Sequence, residues 1–112
     1  MITEYEDYCS YEVAKLLKEK GFPQKYDIMV YNEEDYEDKY CYCPTHQEVR
    51  RWFLKKYNIF ITILFVEEDN RFGYTIEDIV KKKYIGSSGN SSYKEPEEAD
   101  DASIKYCLEN LI

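Results

Sequence analysis

Apolar residues recur with a helical period in three segments of the chain. The first predicted helix covers residues 11–20, between a favourable N-cap at Ser10 and Gly21, which can end a helix in the left-handed conformation. The second begins at Thr45 and Glu48, whose spacing is that of a capping box. Because the apolar positions of each helix fall on one face, we expect both helices to pack against a common core.

The third predicted helix begins at Pro96, a residue that favours the first helical position. Its apolar stripe continues to the last residue, Ile112, so we expect the C-terminus to pack on the body of the protein. The segment 86–92 is rich in Gly and Ser and is predicted to form a flexible loop before this helix.

Between the helices the pattern changes to the shorter period of β-strands. The predicted strands cover residues 26–31, 39–43, 59–66, 72–80 and 82–85. Both alternating faces of residues 59–66 are apolar, which predicts a central strand covered on both faces, or nearly so. The acidic pair Glu77 and Asp78 interrupts the next strand and indicates a bulge or an early end.

The predicted elements follow the order α-β-β-α-β-β-β-α. This order lacks the regular βαβα alternation of parallel-sheet proteins. It therefore predicts an α+β fold in which three helices pack on a mostly antiparallel sheet of four to five strands. A chain of 112 residues holds one hydrophobic core, so we predict a single domain, 1–112.

The sequence also indicates a compartment. No segment approaches the roughly 18 apolar residues of a membrane-spanning helix, and the acidic N-terminus does not resemble a signal peptide. We therefore expect a protein that stays in the cytoplasm, without membrane contact. In that compartment the four cysteines are expected to be reduced thiols rather than a disulfide framework.

Charge and tyrosine content point to an unusual surface. The net charge is −8 and the chain contains 13 tyrosines, several of which fall outside every predicted apolar stripe. Tyrosine is enriched at protein interfaces because it combines apolar area with a hydroxyl group. We therefore predict a non-enzymatic protein that binds an intracellular protein, favouring a basic one, through an acidic, tyrosine-rich surface. The residues of this predicted surface are Tyr5, Tyr8, Tyr36, Glu37, Tyr40 and Tyr42.

A basic segment supports an alternative function. Residues 41–66 contain four basic groups and one acidic group, between two acidic flanks. Basic groups on one helix face can bind phosphates, so the alternative is a small accessory factor that binds nucleic acid. Its predicted binding residues are Arg50, Arg51, Lys55, Lys81, Lys82 and Lys83. The overall negative charge disfavours this alternative.

One short motif contains metal-ligand residue types. Cys41-x-Cys43-x-x-His46 could supply three ligands for zinc, but a structural site needs four. The fourth would have to be Cys9, Cys107 or a carboxylate from elsewhere. Read instead as a nucleophile and its base, Cys43 and His46 lack a visible third residue. We therefore expect no metal ion, no cofactor and no catalytic site.

Three segments of the chain resemble small uncharacterised proteins of Bacteroidales bacteria and their phages or mobile elements. They are the first helix with its end (10–22), the second helix from its Pro-Thr start through Trp52 (44–54, continuing into 58–59) and the closing segment (102–112). The resemblance rests on helix ends and apolar stripes, so it implies a shared fold and a phage or mobile-element origin. It implies no activity, and with this origin the expected partner is a protein of the bacterial host or of a phage.

Overall fold

The computed structural model of the protein describes residues 8–25, 29–31, 40–89 and 92–112. Residues 26–28 and 39, which belong to the first two predicted strands, lie outside the described residues. The elements are α1 (Tyr11–Glu19), β1 (Met29–Tyr31), β2 (Tyr40–Tyr42), α2 (His46–Tyr57), β3 (Ile59–Val66), β4 (Arg71–Asp78), β5 (Lys83–Ser87) and α3 (Pro96–Asn110). Their order confirms the predicted order, and the fold is α+β as predicted.

The described strands form two antiparallel sheets. β1 pairs with β2, and the second sheet has the order β3-β4-β5. β4 is therefore the central strand and β3 lies at an edge, so the prediction of a central strand at residues 59–66 is wrong. The physical reason is that apolar alternation reflects how the faces of a strand are covered. It carries no information about which strands pair with its edges.

The helices cover one face of the three-stranded sheet. Both α2 and α3 contact β3, and α3 also contacts β4. Ile59 and Ile61 of β3 are buried, whereas Phe60 and Leu64, which alternate with them, are 47% and 42% exposed. The expectation that both faces of this strand would be covered is thus wrong at these two positions, and Phe65, on the same face as Ile59 and Ile61, is also 53% exposed.

The helix ends follow their sequence signals. Ser10 caps α1 by accepting a hydrogen bond from the backbone N–H of Val13 at 3.2 Å. Gly21 has a φ of 90°, and the N–H of Phe22 donates to the carbonyl oxygen of Leu17 at 2.9 Å. This is the Schellman arrangement that a glycine at this position favours. Asn58 ends α2 in the left-handed region, with a φ of 60°.

The segment predicted as a loop from residue 86 begins inside a strand. Gly86 pairs with Ile76, and the pairing shifts so that Glu77 lies opposite Tyr84, which leaves a bulge in β5. The predicted irregularity near Glu77 is therefore confirmed. A Cβ atom on Gly86 would lie only 2.9 Å from Cε1 of Tyr106 in α3. Gly86 thus allows α3 to pack closely on β5.

One hydrophobic core joins α1, β2, α2, β3, β4 and α3. Leu111 and Ile112 pack against it, and Nζ of Lys20 donates to the carbonyl oxygen of Ile112 at 2.9 Å, so the predicted packing of the third apolar stripe on the body of the protein is confirmed. All four cysteines are buried and none forms a disulfide. Within the described ranges, no helix has the length and apolar character required to span a membrane.

Candidate functional site

The predicted tyrosine surface is described only in part. Tyr5, Tyr36 and Glu37 lie outside the described residues. Tyr40 is the first residue of β2, and only its backbone placement is described. Tyr8 is 56% exposed and lies beside Thr45 in an isolated antiparallel bridge. Among the members of the predicted set whose side chains are described, Tyr8 lies on the surface.

Tyr42 belongs to the core, so its assignment to the binding surface is wrong. Its side chain is 3% exposed and its ring stacks on Phe22, with centroids 6.4 Å apart. The Tyr42 hydroxyl donates to the carboxylate of Glu48 at 2.8 Å, and its backbone N–H donates to Oε1 of Gln24 at 2.8 Å. The partner of the buried hydroxyl is thus the same carboxylate that caps α2, a pairing that strand periodicity does not reveal.

The predicted basic residues are not gathered in one place. Arg50 forms an ion pair with Asp100 of α3, so its charge is neutralised by a neighbouring helix. Arg51 and Lys55 are exposed and line a groove on α2. The lysines predicted to extend this face, at 81–83, lie in the β4–β5 turn and the start of β5 and do not line the groove.

The groove beside α2 has a volume of about 870 Å³. Its wall includes Trp52, against which the ring of Phe22 packs edge-on at 5.1 Å and over which Nζ of Lys56 lies at 5.3 Å. The lining contains four basic side chains and one acidic side chain: Phe22, Pro23, Lys25, Thr45, Gln47, Glu48, Arg51, Trp52, Lys55 and Lys56. The groove is therefore a cationic site with an aromatic wall, suited to anionic ligands.

The outer side of β3 forms a second exposed surface. Phe60 pairs with Glu77, and Glu77 pairs with Tyr84, so these three residues form one row across the sheet. Leu64 lies on the same face of β3, and Tyr84 is 71% exposed. We call Phe60, Leu64, Glu77 and Tyr84, together with the outer edge of β3, the open β3 surface. The sequence does not reveal this surface, because the apolar residues on both faces of β3 predict that both faces are covered.

A third feature lies where the segment before α1, the start of α2 and the first turns of α3 meet. The backbone N–H of Cys9 donates to the carbonyl oxygen of Pro44 at 2.9 Å, which holds Cys9 beside the first residue of α2, His46. The backbone N–H of Ser10 donates to Oδ1 of Asp101 in α3 at 3.0 Å. Three distant parts of the chain are thereby fixed around one buried histidine.

The imidazole of His46 lies between two carboxylates. Its Nε2 is 3.2 Å from Oδ1 of Asp101, and its Nδ1 is 3.7 Å from Oδ2 of Asp100. Cys9, His46 and Asp101 each offer one ligand atom, and these atoms lie within 4.8 Å of one another. In the part of the chain that the structure describes, these are the residues whose ligand atoms lie close enough together that they could hold a metal ion, and Cys41 and Cys43 of the sequence motif are not among them.

The thiols near this cluster are held protonated. Burial, followed by the charge of Asp101, raises the pKa of Cys9 far above its ordinary value. Burial also raises the pKa of Cys43 to about 11, and its thiol donates to the carbonyl oxygen of Cys9 at 2.7 Å. Burial raises the pKa of Asp101, but the hydrogen bonds from His46 and Ser10 lower it by a larger amount. The pKa of Asp101 therefore lies below its ordinary value. A protonated Cys43 is a poor nucleophile, which argues against a Cys43–His46 catalytic pair.

The chain matches no protein-family model, no curated protein and no solved structure.

Proposed function

We propose that this protein is a non-enzymatic binding protein that engages another protein through the open β3 surface. The observation that carries the proposal is the exposure of Phe60 and Leu64 on an edge strand that contains no charged residue. An exposed apolar edge strand is a template for pairing with another chain, and soluble proteins usually block such edges with charge or proline. β3 has neither.

The chemistry of this surface favours an apolar partner segment flanked by basic residues. Full burial of a large apolar side chain contributes about 1.5–3 kcal/mol, so the half-exposed Phe60 and Leu64 can each add roughly half of that, and Tyr84 extends the same binding core. Glu77 lies within the same row, and the whole chain carries a net charge of −8. Basic groups on the partner would complement both, and they would accelerate its association.

The class of function is the one that the sequence predicts, but the surface is different. Of the predicted acidic tyrosine surface, Tyr8 is exposed in the described part of the chain. The exposed apolar residues of β3 form a larger patch than this single side chain. The resemblance to proteins of Bacteroidales and their phages supports an origin in a phage or mobile element, and a partner inside the bacterial cell.

The proposal is tested with two double variants matched in the apolar area that they remove. Phe60→Ser/Leu64→Ser alters the open β3 surface, and Ile79→Ser/Val80→Ser removes two other exposed apolar side chains from the β4–β5 turn. Tagged wild-type protein and both variants are incubated with bacterial lysate, and captured proteins are quantified by mass spectrometry. We expect a species that wild type and the turn variant retain and the β3 variant loses.

Two results would contradict this proposal. Equal capture by all three proteins would remove the open β3 surface as the binding site. Concentration-dependent dimerisation in sedimentation experiments, lost in the β3 variant alone, would identify the surface as a contact between copies of this chain instead.

A second candidate function rests on the groove beside α2. Arg51, Lys55 and Lys56 surround Trp52, and bases of single-stranded nucleic acid stack on aromatic side chains while basic groups hold the phosphates. We therefore propose, as the alternative, binding of single-stranded nucleic acid in this groove. Arg50 has no part in it because Asp100 neutralises its charge.

Fluorescence anisotropy with labelled single-stranded and duplex DNA across a salt series tests this alternative. We expect Arg51→Ala/Lys55→Ala to weaken binding and to lower the salt slope by about 1 for each lost phosphate contact, whereas Lys81→Ala/Lys82→Ala leaves it unchanged. Absence of binding at low salt would exclude it.

A further inference from the structure

The cluster of Cys9, His46 and Asp101 contains a thiol, an imidazole and a carboxylate, which are the three ligand types of zinc sites. In tetrahedral coordination two such ligand atoms lie about 3.3–3.6 Å apart, given metal–ligand bonds of about 2.0–2.3 Å. The His46 Nε2 to Asp101 Oδ1 distance is already 3.2 Å. The remaining separations are at most 4.8 Å, so the site needs only a small contraction around an ion.

A second observation is independent of this spacing. The side chain of His46 is 4% exposed and that of Asp100 is 12% exposed. Among the described residues, Nδ1 of His46 and Oδ1 of Asp100 are buried without a hydrogen-bond partner. Such buried polar atoms are rare in folded proteins and call for a physical explanation.

A metal ion on Nε2 explains the first of these atoms, Nδ1 of His46. When Nε2–H of a neutral His46 donates to Asp101, Nδ1 carries no proton and faces the carboxylate of Asp100, so two acceptors oppose each other. A metal on Nε2 moves the ring proton to Nδ1, from which it points to Asp100. An imidazole that binds a metal with one nitrogen and donates to a carboxylate with the other is the usual arrangement in zinc proteins.

We propose that Cys9, His46 and Asp101 bind one Zn²⁺ ion, with a water molecule as the fourth ligand and Asp100 orienting the imidazole. Arg50, ion-paired with Asp100, holds that carboxylate in place. The thiol proton of Cys9 leaves to solvent as the thiolate–zinc bond forms. The ion ties the segment before α1 to α2 and α3, and the partly exposed Asp101 gives it an entry path.

This site differs from the one that the sequence suggests, and it departs from the expectation of no metal. Only one residue of the sequence motif, His46, belongs to this cluster, whereas Cys41 and Cys43 lie outside it. The missing ligands come from Cys9 and from a carboxylate of α3, which no local spacing in the sequence brings together. The proposal does not depend on either candidate function above.

Metal-free full-length protein is prepared under reducing conditions and titrated with Zn²⁺ against a chromophoric chelator, and separately with Co²⁺. We expect one ion per chain. We also expect the Co²⁺ complex to show a thiolate-to-cobalt charge-transfer band, together with the intense visible bands of four-coordinate cobalt. This measurement uses the unmodified protein, so it does not depend on the folding of a variant.

Variants then assign the ligands. We expect Cys9→Ser to abolish the charge-transfer band, and Asp100→Asn to weaken zinc binding by about 10- to 100-fold, as for other residues that orient a ligand. Cys43→Ser is the matched control, since it changes a neighbouring buried thiol that is outside the cluster, and it should keep both the band and the affinity.

Three results would overturn the proposal. They are no stoichiometric zinc binding by wild-type protein, cobalt spectra without a thiolate band, and loss of the band in Cys43→Ser rather than in Cys9→Ser.

Discussion

At the scale of single residues, Glu48 links the start of α2 to its neighbours through several polar contacts. Its carboxylate accepts from the backbone N–H of Thr45 at 3.2 Å, from the hydroxyl of Tyr42 at 2.8 Å and from Nζ of Lys25 at 3.0 Å. Although burial raises the pKa of Glu48, these hydrogen bonds lower it below its ordinary value. The capping box was predictable from spacing, but the buried tyrosine that shares it was not.

We expect Thr45→Ala to destabilise the protein by about 1 kcal/mol, because the N–H of Glu48 loses its side-chain acceptor. The free energy of unfolding is measured by urea denaturation, with Thr45→Ser as the control that keeps the hydroxyl. If both variants lose the same stability, the methyl group of Thr45 rather than the cap is responsible.

At the scale of elements, the strands departed from prediction more than the helices did. Helix starts and ends are set by residues within a few positions, such as Ser10, Gly21 and Asn58, and these signals were sufficient. The place of β3 at an edge and the continuation of β5 through Gly86 depend on contacts between distant segments. Local periodicity does not carry that information.

We expect Gly86→Ala to destabilise the protein by about 1–3 kcal/mol, because the new Cβ would contact Tyr106 at 2.9 Å and Ile76 at 3.2 Å. Thermal or urea unfolding measures the loss. In a double-mutant cycle, Tyr106→Leu should recover part of the lost stability, because the substitution removes Cε1 of Tyr106, the atom that the new Cβ would contact. Additive effects of the two changes would show that this close packing does not determine stability.

At the scale of the whole molecule, charges that are separate in sequence are brought into pairs. Lys105 of α3 lies 3.0 Å from Glu12 of α1, and Arg50 of α2 is paired with Asp100 of α3. Because Arg50 is paired, α2 is less cationic in the fold than its sequence indicates.

The core also holds buried thiols from several parts of the chain. Burial raises the pKa of Cys43 to about 11 and that of Cys107 to about 12.

These raised pKa values make stability depend on alkaline pH. An unfolded thiol ionises near pH 9.0, whereas buried Cys107 stays protonated to about 12. The unfolded state therefore loses its proton first, so this contribution is fully present below pH 9 and is lost as the pH rises toward 12. For one such thiol the loss is about 1.4 kcal/mol at pH 10.

Urea unfolding of wild type and Cys107→Ala at several pH values between 8 and 10 measures this contribution. Other groups also titrate in this range, so the informative quantity is the difference between the two proteins. We expect the stability of Cys107→Ala to fall less steeply with pH. Parallel curves would show that Cys107 ionises as readily in the folded protein as in the unfolded chain.

The helices, their ends and the α+β order follow from the amino-acid sequence, because residues close together along the chain set capping and periodicity. Packing in three dimensions was needed to place β3 at an edge, to bury Tyr42 and to neutralise Arg50. It also brought Cys9, His46 and Asp101 together. Each of these depends on packing between segments far apart in the chain, where side-chain shape and pairing decide the outcome and local pattern does not.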